Sequence, residues 1–315
     1  MVEQLDRRLV LDIAHVTERA AIAAKGHVGR GNEKEADAAA VEAMRAALNE
    51  LPISGRVVIG EGERDEAPML FIGEEVGTGG QKLDIALDPL EGTTICAKAM
   101  ANSLAVLAIA GEGDLLNAPD VYMDKIAVGG GLPEGIVSLD RTPTENVKAL
   151  AKVLGKQVSD IMVCVLDRPR HADLIEELRI AGCGIKLIGD GDVAGVIATT
   201  DPATGIDVYM GSGGAPEGVL AAAALRCIGG QIQGRLLFRN DDERARARRW
   251  GIEDLDKLYT LEDMASGDVI FAASGVTDGD LLQGVKIDGD SVHTDTLVMQ
   301  ASNATVRRIQ AVHGV

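Results

Sequence analysis

The regular alternation of short β-branched runs with helix-period segments along residues 161–238 constrains this chain more than any other feature. Residues 161–166, 185–188, 206–210 and 231–238 have the length and composition of strands, and helical spacing fills the gaps at 172–181, after Ile188, and at 219–228. Successive β-α-β units bury their strands only when helices cover the sheet, so the fold class is α/β and layered. The first half supports the same reading. Leu5, Leu9, Ile13, Val16 and Ala20 predict an amphipathic helix over 3–25 that stops at Gly26, and Asn32 with Glu35 makes a capping-box start for a second helix carrying Ala40, Met44 and Leu48. Strands follow at 56–59, 83–87, 104–110 and 122–128. Thr142-Pro143-Thr144-Glu145 then combines an N-cap, a proline at the first helical position and a glutamate at the third, opening a helix that runs to Gly155. A chain of 315 residues is near the size at which one core gives way to two. The expected subdomains are therefore 1–145 and 146–315.

Charge and composition narrow the function classes. With 49 acidic against 31 basic residues the net charge is −18, which repels nucleic acid and an anionic membrane alike. The short basic stretch Arg244, Arg246, Arg248 and Arg249 reads as a solvated helix face or a subunit contact. Aromatic residues are only 2% of the chain, too few for a stacking platform, so polar ligands must be held by hydrogen bonds, metals and backbone. The longest apolar runs, at 103–110 and 219–225, fall well short of the ~18 residues of a membrane span. Charged residues precede any apolar stretch at the N-terminus, and Cys96, Cys164, Cys183 and Cys227 are scattered without a CxxC pair. A cytoplasmic location with reduced thiols is expected.

The chemistry concentrates in glycine-rich turns that carry carboxylates. Strand 56–59 runs into Gly60-Glu61-Gly62-Glu63-Arg64-Asp65-Glu66, where Glu63, Asp65 and Glu66 read as a solvated acidic loop. Strand 83–87 delivers Asp88-Pro89-Leu90-Glu91-Gly92-Thr93-Thr94, a tight turn that aims Asp88 and Glu91 the same way. Oxygen ligands with no nearby cysteine or histidine suit Mg²⁺ or Mn²⁺. The pattern GGxPEG occurs twice, at 130–135 and 213–218. The first leads into a strand-like 136–139, leaving Glu134 a loop residue, whereas the second opens an apolar helix and places Glu217 at its N-terminal end. Gly189-Asp190-Gly191-Asp192-Val193-Ala194 matches a dinucleotide fingerprint, with Asp207 as the ribose acid, but sets two carboxylates against a pyrophosphate. The same aspartates can accept hydrogen bonds from sugar hydroxyls. Arg168 and Arg170, bracketing Pro169, form either a phosphate clamp or a solvated pair.

Taken in order, Gly60-Glu61-Gly62-Glu63-Arg64-Asp65-Glu66-Ala67-Pro68-Met69-Leu70, Asp88-Pro89-Leu90-Glu91-Gly92-Thr93, Arg168-Pro169-Arg170-His171, Gly189-Asp190-Gly191-Asp192 and Gly213-Gly214-Ala215-Pro216-Glu217-Gly218 resemble the class II fructose-1,6-bisphosphatases. These lie within the metal-dependent, lithium-sensitive phosphatase superfamily. The resemblance spans nearly the whole chain. It implies a layered α/β/α/β/α sugar-phosphatase fold with two subdomains and hydrolysis of the 1-phosphate of fructose 1,6-bisphosphate in gluconeogenesis, with sedoheptulose 1,7-bisphosphate a second candidate substrate. It also implies Mg²⁺ or Mn²⁺ at Asp37, Glu61, Asp88, Glu91 and Glu217. Substrate contacts would come from Glu91, Gly92, Thr93, Tyr122, Arg168, Pro169, Arg170, Asp190, Gly191, Asp192 and Gly214. Thr93, Glu61 and Asp37 would carry the catalysis, in a homodimer or homotetramer. Thr93 has two candidate jobs, capping a helix that starts there or orienting the attacking water. The alternatives are an inositol-monophosphatase-like or nucleotide phosphatase, an NAD(P)-binding oxidoreductase, and a non-catalytic sugar-phosphate sensor.

Overall fold

A computed structural model describes residues 4–62 and 69–314. Contacts divide the chain into two compact units, Met1–Asn117 with Ala265–Val315, and Ala118–Met264, so the second is inserted into the first in sequence. The division therefore does not fall at 145/146.

In the first unit, α1 (Leu9–Lys25) starts later than the predicted residue 3, because the N–H of the buried Leu5 is tied to Asp268 Oδ2 at 2.9 Å instead of entering a helix. The helix ends at Gly26 as its sequence requires. In α2 (Glu33–Leu48) the Asn32 side chain accepts the Glu35 N–H at 3.2 Å, and Ala36, Ala40, Met44 and Leu48 form the buried stripe. Both helices turn alanines inward, which lets them pack closely on each other and on the sheet. After β1 (Ile53–Ile59), β2 (Glu75–Val76) and β3 (Gln81–Glu91) come the single-turn α3 (Thr93–Ala97) and β4 (Leu104–Gly111). Every residue of β4 from Leu104 to Ala110 is buried, as expected for a central strand read as an unbroken apolar run.

The second unit begins with β5 (Tyr122–Gly129) and α4 (Pro143–Leu154). The Thr142 capping box is complete, and Gly155 closes α4 in the left-handed region at φ 66°. There follow β6 (Met162–Leu166), α5 (Ala172–Ala181), β7 (Gly184–Ile188), α6 (Asp192–Ile197), β8 (Val208–Gly214), α7 (Ala215–Ile228), β9 (Gly230–Leu237), α8 (Asp241–Arg249), β10 (Leu258–Thr260) and α9 (Leu261–Met264). No strand forms at 136–139. Ile136 and Val137 are buried there, but side chains hold the backbone: Gln233 Oε1 accepts the Leu139 N–H, and Asn146 Oδ1 accepts that of Ser138. The chain then returns to the first unit as β11 (Val269–Gly275), β12 (Lys286–Asp288), β13 (Ser291–Gln300) and β14 (Thr305–Gly314).

Among the described residues the first unit holds an eight-stranded sheet in the order β12-β13-β11-β4-β3-β1-β2, with β14 paired to β13. Leu83, Ile85, Leu87, Leu107, Ile109 and Ile270 share one core with α1 and α2. The second unit holds the order β10-β9-β5-β8-β6-β7. On one face Ile126, Val128, Val163, Val165, Val208 and Met210 share a core with residues of α4 and α5. The alternate residues of those strands face α6 and α7, as the close approach of Gly195 to Tyr209 and of Gly218 to Met123 shows. One unit thus supplies a helix layer on a sheet, and the other a sheet between two helix layers, the layer types that the α/β/α/β/α expectation requires.

Candidate functional site

In the first unit the candidate residues are built on the end of β3. Asp88 pairs with Val106 of β4, but Glu91 pairs with Leu104, so β3 carries one residue more than its partner. This is a β-bulge, and Pro89, which has no N–H to give the ladder, sits inside it. The Leu90 N–H turns back to Asp88 Oδ1 at 3.0 Å, and Asp88 and Glu91 bring carboxylate oxygens within 4.8 Å of each other. Glu91 is only 4% exposed, and its backbone carbonyl accepts the Ser103 hydroxyl at 3.0 Å. The next residue, Gly92, is left-handed at φ 80°, and a Cβ there would meet Ile95 side-chain atoms at 2.7 Å. Gly92 is the N-cap of α3 and Thr93 its first residue, so the hydroxyl does not cap this helix. It makes no hydrogen bond among the described residues.

Glu61 follows β1, its N–H bonded to Leu70 O at 3.1 Å. Burial, then the negative charges of Asp88 and Asp37, push its carboxyl up to about 9. Asp37, half-buried on α2, is also raised by burial. Three carboxylates from three elements therefore share one electrostatic environment, with only oxygen donors. That donor set fits a hard divalent cation, which would reverse the repulsion that keeps Glu61 protonated. Glu63, Asp65 and Glu66 lie outside the described residues.

A pH dependence follows with a definite sign. The raised Glu61 pKa means that the metal-free fold binds a proton more tightly than the unfolded chain, so this stabilisation is complete below about 4.5 and is lost as the pH rises through about 9. Melting of the chelated protein between pH 6 and pH 9 should show falling stability, and saturating Mn²⁺ should abolish or invert the trend. An unchanged slope with metal would remove Glu61 from the ligand set.

In the second unit the candidate residues lie at the carboxyl ends of β6, β7 and β8, parallel strands in the order β8-β6-β7, which is where α/β sheets place ligands. Arg168, Pro169 and Arg170 follow β6, Gly189 to Asp192 follow β7, and Gly214 ends β8. Arg168 Nη2 stands 3.6 Å from Asp190 Oδ1. Arg170 donates Nε and Nη2 to Ser212 O at 3.1 and 2.7 Å, and its guanidinium lies 4.8 Å from the centroid of the Tyr122 ring. Arg239 approaches the same ring at 5.3 Å. Burial raises the Asp190 pKa against the lowering effect of Arg168. His171, 3% exposed, accepts the Ser212 N–H at Nε2 (2.8 Å), so its Nδ1 carries the proton and donates to Leu166 O at 2.8 Å. Burial lowers its pKa, and this neutral imidazole ties the end of β6 to β8.

Asp192, expected to contact the sugar, lies in a buried ion pair. It is 5% exposed and accepts Lys125 Nζ on Oδ2, with the Tyr209 hydroxyl at 3.4 Å on the same atom. Removing one partner of such a buried pair typically costs about 3–5 kcal/mol. Glu217 is the third residue of α7, and Gly214 is the N-cap against which its carboxylate folds. Glu134 is an exposed loop residue. Arg239 and Ser212 were not singled out by sequence, since neither belongs to a glycine-acid turn. The dinucleotide reading fails on geometry: Asp207 sits at the amino ends of the parallel strands, bound to Lys156 Nζ at 2.5 Å and the Met162 N–H at 3.0 Å, away from the Gly189 turn.

Two helix-covered sheets, a carboxylate-bearing bulge and arginine-lined strand ends define an α/β phosphatase of the metal-dependent kind. The chain belongs to the family of bacterial fructose-1,6-bisphosphatases, glpX-encoded, whose model matches residues 7–313. It is accordingly a phosphoric monoester hydrolase of the fructose-bisphosphatase type. It is 46% identical over 335 residues to the D-fructose 1,6-bisphosphatase class 2/sedoheptulose 1,7-bisphosphatase of Synechococcus sp. (strain JA-3-3Ab), covering 98% of this chain and 96% of the relative. The protein of the same description from Prochlorococcus marinus (strain NATL1A) is 47% identical over 326 residues, covering 98% and 97%. Among solved structures, extragenic suppressor protein suhB from Bartonella henselae matches 62% of this chain and 75% of its own at 16% identity and TM-score 0.36. Inositol monophosphatase from Anabaena (Nostoc) sp. PCC 7120 matches 61% and 70% at 14% identity and TM-score 0.32.

Proposed function

We propose that this chain removes the 1-phosphate of fructose 1,6-bisphosphate to give fructose 6-phosphate and phosphate, uses Mg²⁺ or Mn²⁺, and also accepts sedoheptulose 1,7-bisphosphate. The observation that supports this reading is the electrostatic clustering of Asp37, Glu61 and Asp88, which holds Glu61 protonated near neutral pH and offers a divalent cation an all-oxygen donor set once that proton is displaced. A sugar bisphosphate carries about three to four negative charges near neutrality, and a protein of net charge −18 needs a cation to receive it. Asp37, Glu61, Asp88 and Glu91 would hold a divalent ion, which would neutralise charge at the reacting phosphate and lower the pKa of the attacking water. Thr93 orients that water through its uncommitted hydroxyl, and Glu61 or Asp37 takes its proton. In the second unit, Arg168 and Arg170 hold the non-reacting phosphate and Asp190 accepts from a sugar hydroxyl.

The same reading makes the protein a cytoplasmic homodimer or homotetramer that binds neither nucleic acid nor membrane. No helix of the described residues is long and apolar enough to cross a membrane.

The test is Arg168→Ala. The far phosphate contributes to binding and stays unchanged in the transition state, so KM for fructose 1,6-bisphosphate should rise about ten-fold or more while kcat stays within about three-fold. An equal loss on a sugar monophosphate lacking the far phosphate would show that Arg168 serves another group.

A further inference from the structure

We infer that Lys125 is a positioning residue of the phosphosugar-binding half: its buried ammonium, by holding the Asp192 carboxylate and the Gly214 carbonyl at once, fixes the two turns that face the sugar. This inference rests on the proposed function and adds a residue that no motif contains.

Lys125 lies on β5, the strand between β9 and β8, and is 1% exposed. Its Nζ donates to Asp192 Oδ2 and, at 2.9 Å, to Gly214 O. The first bond reaches the turn after β7 and the second the end of β8, so one cation on a rigid central strand links two turns about twenty residues apart in sequence. The surroundings are shaped for it. A Cβ on Gly213 would overlap Asp192 Oδ2 and stand 2.9 Å from Lys125 Nζ, and a Cβ on Gly218 would stand 3.3 Å from Lys125 Cδ. Two glycines of the second GGxPEG motif thus leave room for the ammonium and its stem. The Tyr209 hydroxyl adds a second donor to Asp192 Oδ2 at 3.4 Å.

With its Oδ2 so engaged and 5% exposure, Asp192 acts chiefly as an anchor. The turn it fixes presents Asp190, whose side chain is 33% exposed and faces Arg168. A charge pair buried against the strand ends that hold substrate, and tied to the backbone of both, places groups that touch the sugar without touching it itself.

The experiment compares wild type with Lys125→Met and with Lys125→Met/Asp192→Asn, which leaves no unpaired buried carboxylate. Readouts are KM and kcat for fructose 1,6-bisphosphate, calorimetric affinity for fructose 6-phosphate, half-saturating Mn²⁺ and melting temperature. The expected result is a KM raised about ten-fold or more in both variants, with kcat within about three-fold, fructose 6-phosphate bound correspondingly more weakly, and Mn²⁺ dependence unchanged. The double variant should recover melting temperature without recovering KM. Wild-type KM in a folded variant, or a double variant that does not fold, would show that the pair serves only the stability of the unit and would overturn the inference. Wild type that releases no phosphate from the bisphosphate would instead overturn the proposed function.

Discussion

Thr93→Ala should lower kcat by about two to three orders of magnitude while leaving the protein folded, because loss of one oriented polar group in an active site typically costs about 2.7–4 kcal/mol of transition-state stabilisation. Gly92, in the left-handed region, is the N-cap of the single-turn helix, and Thr93 is its first residue with no hydrogen bond to its hydroxyl among the described residues. The capping explanation would have predicted a stability loss of about 1 kcal/mol that Ser, Asn or Asp repairs. With the N-cap position held by Gly92, Thr93→Ser should keep substantial activity, and Thr93→Asn should be as inactive as Thr93→Ala at unchanged melting temperature. Asparagine offers no single oxygen that both donates and accepts. A stable and active Thr93→Asn enzyme would show that the hydroxyl plays no part in catalysis.

Removing the metal should have the larger effect still. Without a cation, Glu61 holds its proton at neutral pH under the joint influence of burial and the charges of Asp88 and Asp37, and cannot act as base or ligand. Glu91, at 4% exposure, has a carboxyl oxygen within 4.8 Å of one of Asp88, so without a cation the turn offers an anionic phosphate only acceptor oxygens. Chelated protein should therefore show no turnover above background. Re-addition of Mg²⁺ or Mn²⁺ should restore it, with a requirement for higher metal at lower pH because binding must displace the Glu61 proton. A metal requirement independent of pH between 6 and 9 would show that Glu61 is not among the ligands.

Much of this was legible in the sequence where the signal is local. Thr142 with Glu145 and Asn32 with Glu35 mark helix starts because their side chains bond the nearest free N–H groups. Pro89 forces the bulge that gathers Asp88 and Glu91, so that turn could be read without knowing its neighbours. The division into units could not. Residues 265–314 return to the first unit because β11 pairs with β4 from Val269↔Ala110 to Gly275↔Leu104, and no local pattern announces a partner more than 150 residues away. The strand expected at 136–139 fails for a related reason: Ile136 and Val137 have strand composition, but glutamine side chains of β9 and Asn146 of α4 hold the backbone in place of a neighbouring strand. Lys125 was invisible because a lysine in an alternating strand reads as a solvent-facing residue. Only the glycines opposite it and the buried Asp192 make room for an ammonium there. The Gly189-to-Asp192 motif likewise gives no sign of the buried pair that Asp192 makes with Lys125, which is a tertiary fact.

The central claim, a metal-dependent phosphatase that takes a sugar bisphosphate, is tested most directly by phosphate release from fructose 1,6-bisphosphate measured beside inositol 1-phosphate and a 3′-phosphonucleotide, with chelated protein and after Mn²⁺ is restored. Chelated protein should release no phosphate, Mn²⁺ should restore release, and kcat/KM should be highest for the fructose bisphosphate. Full turnover in excess chelator, or a higher kcat/KM for inositol 1-phosphate or the nucleotide, would contradict it.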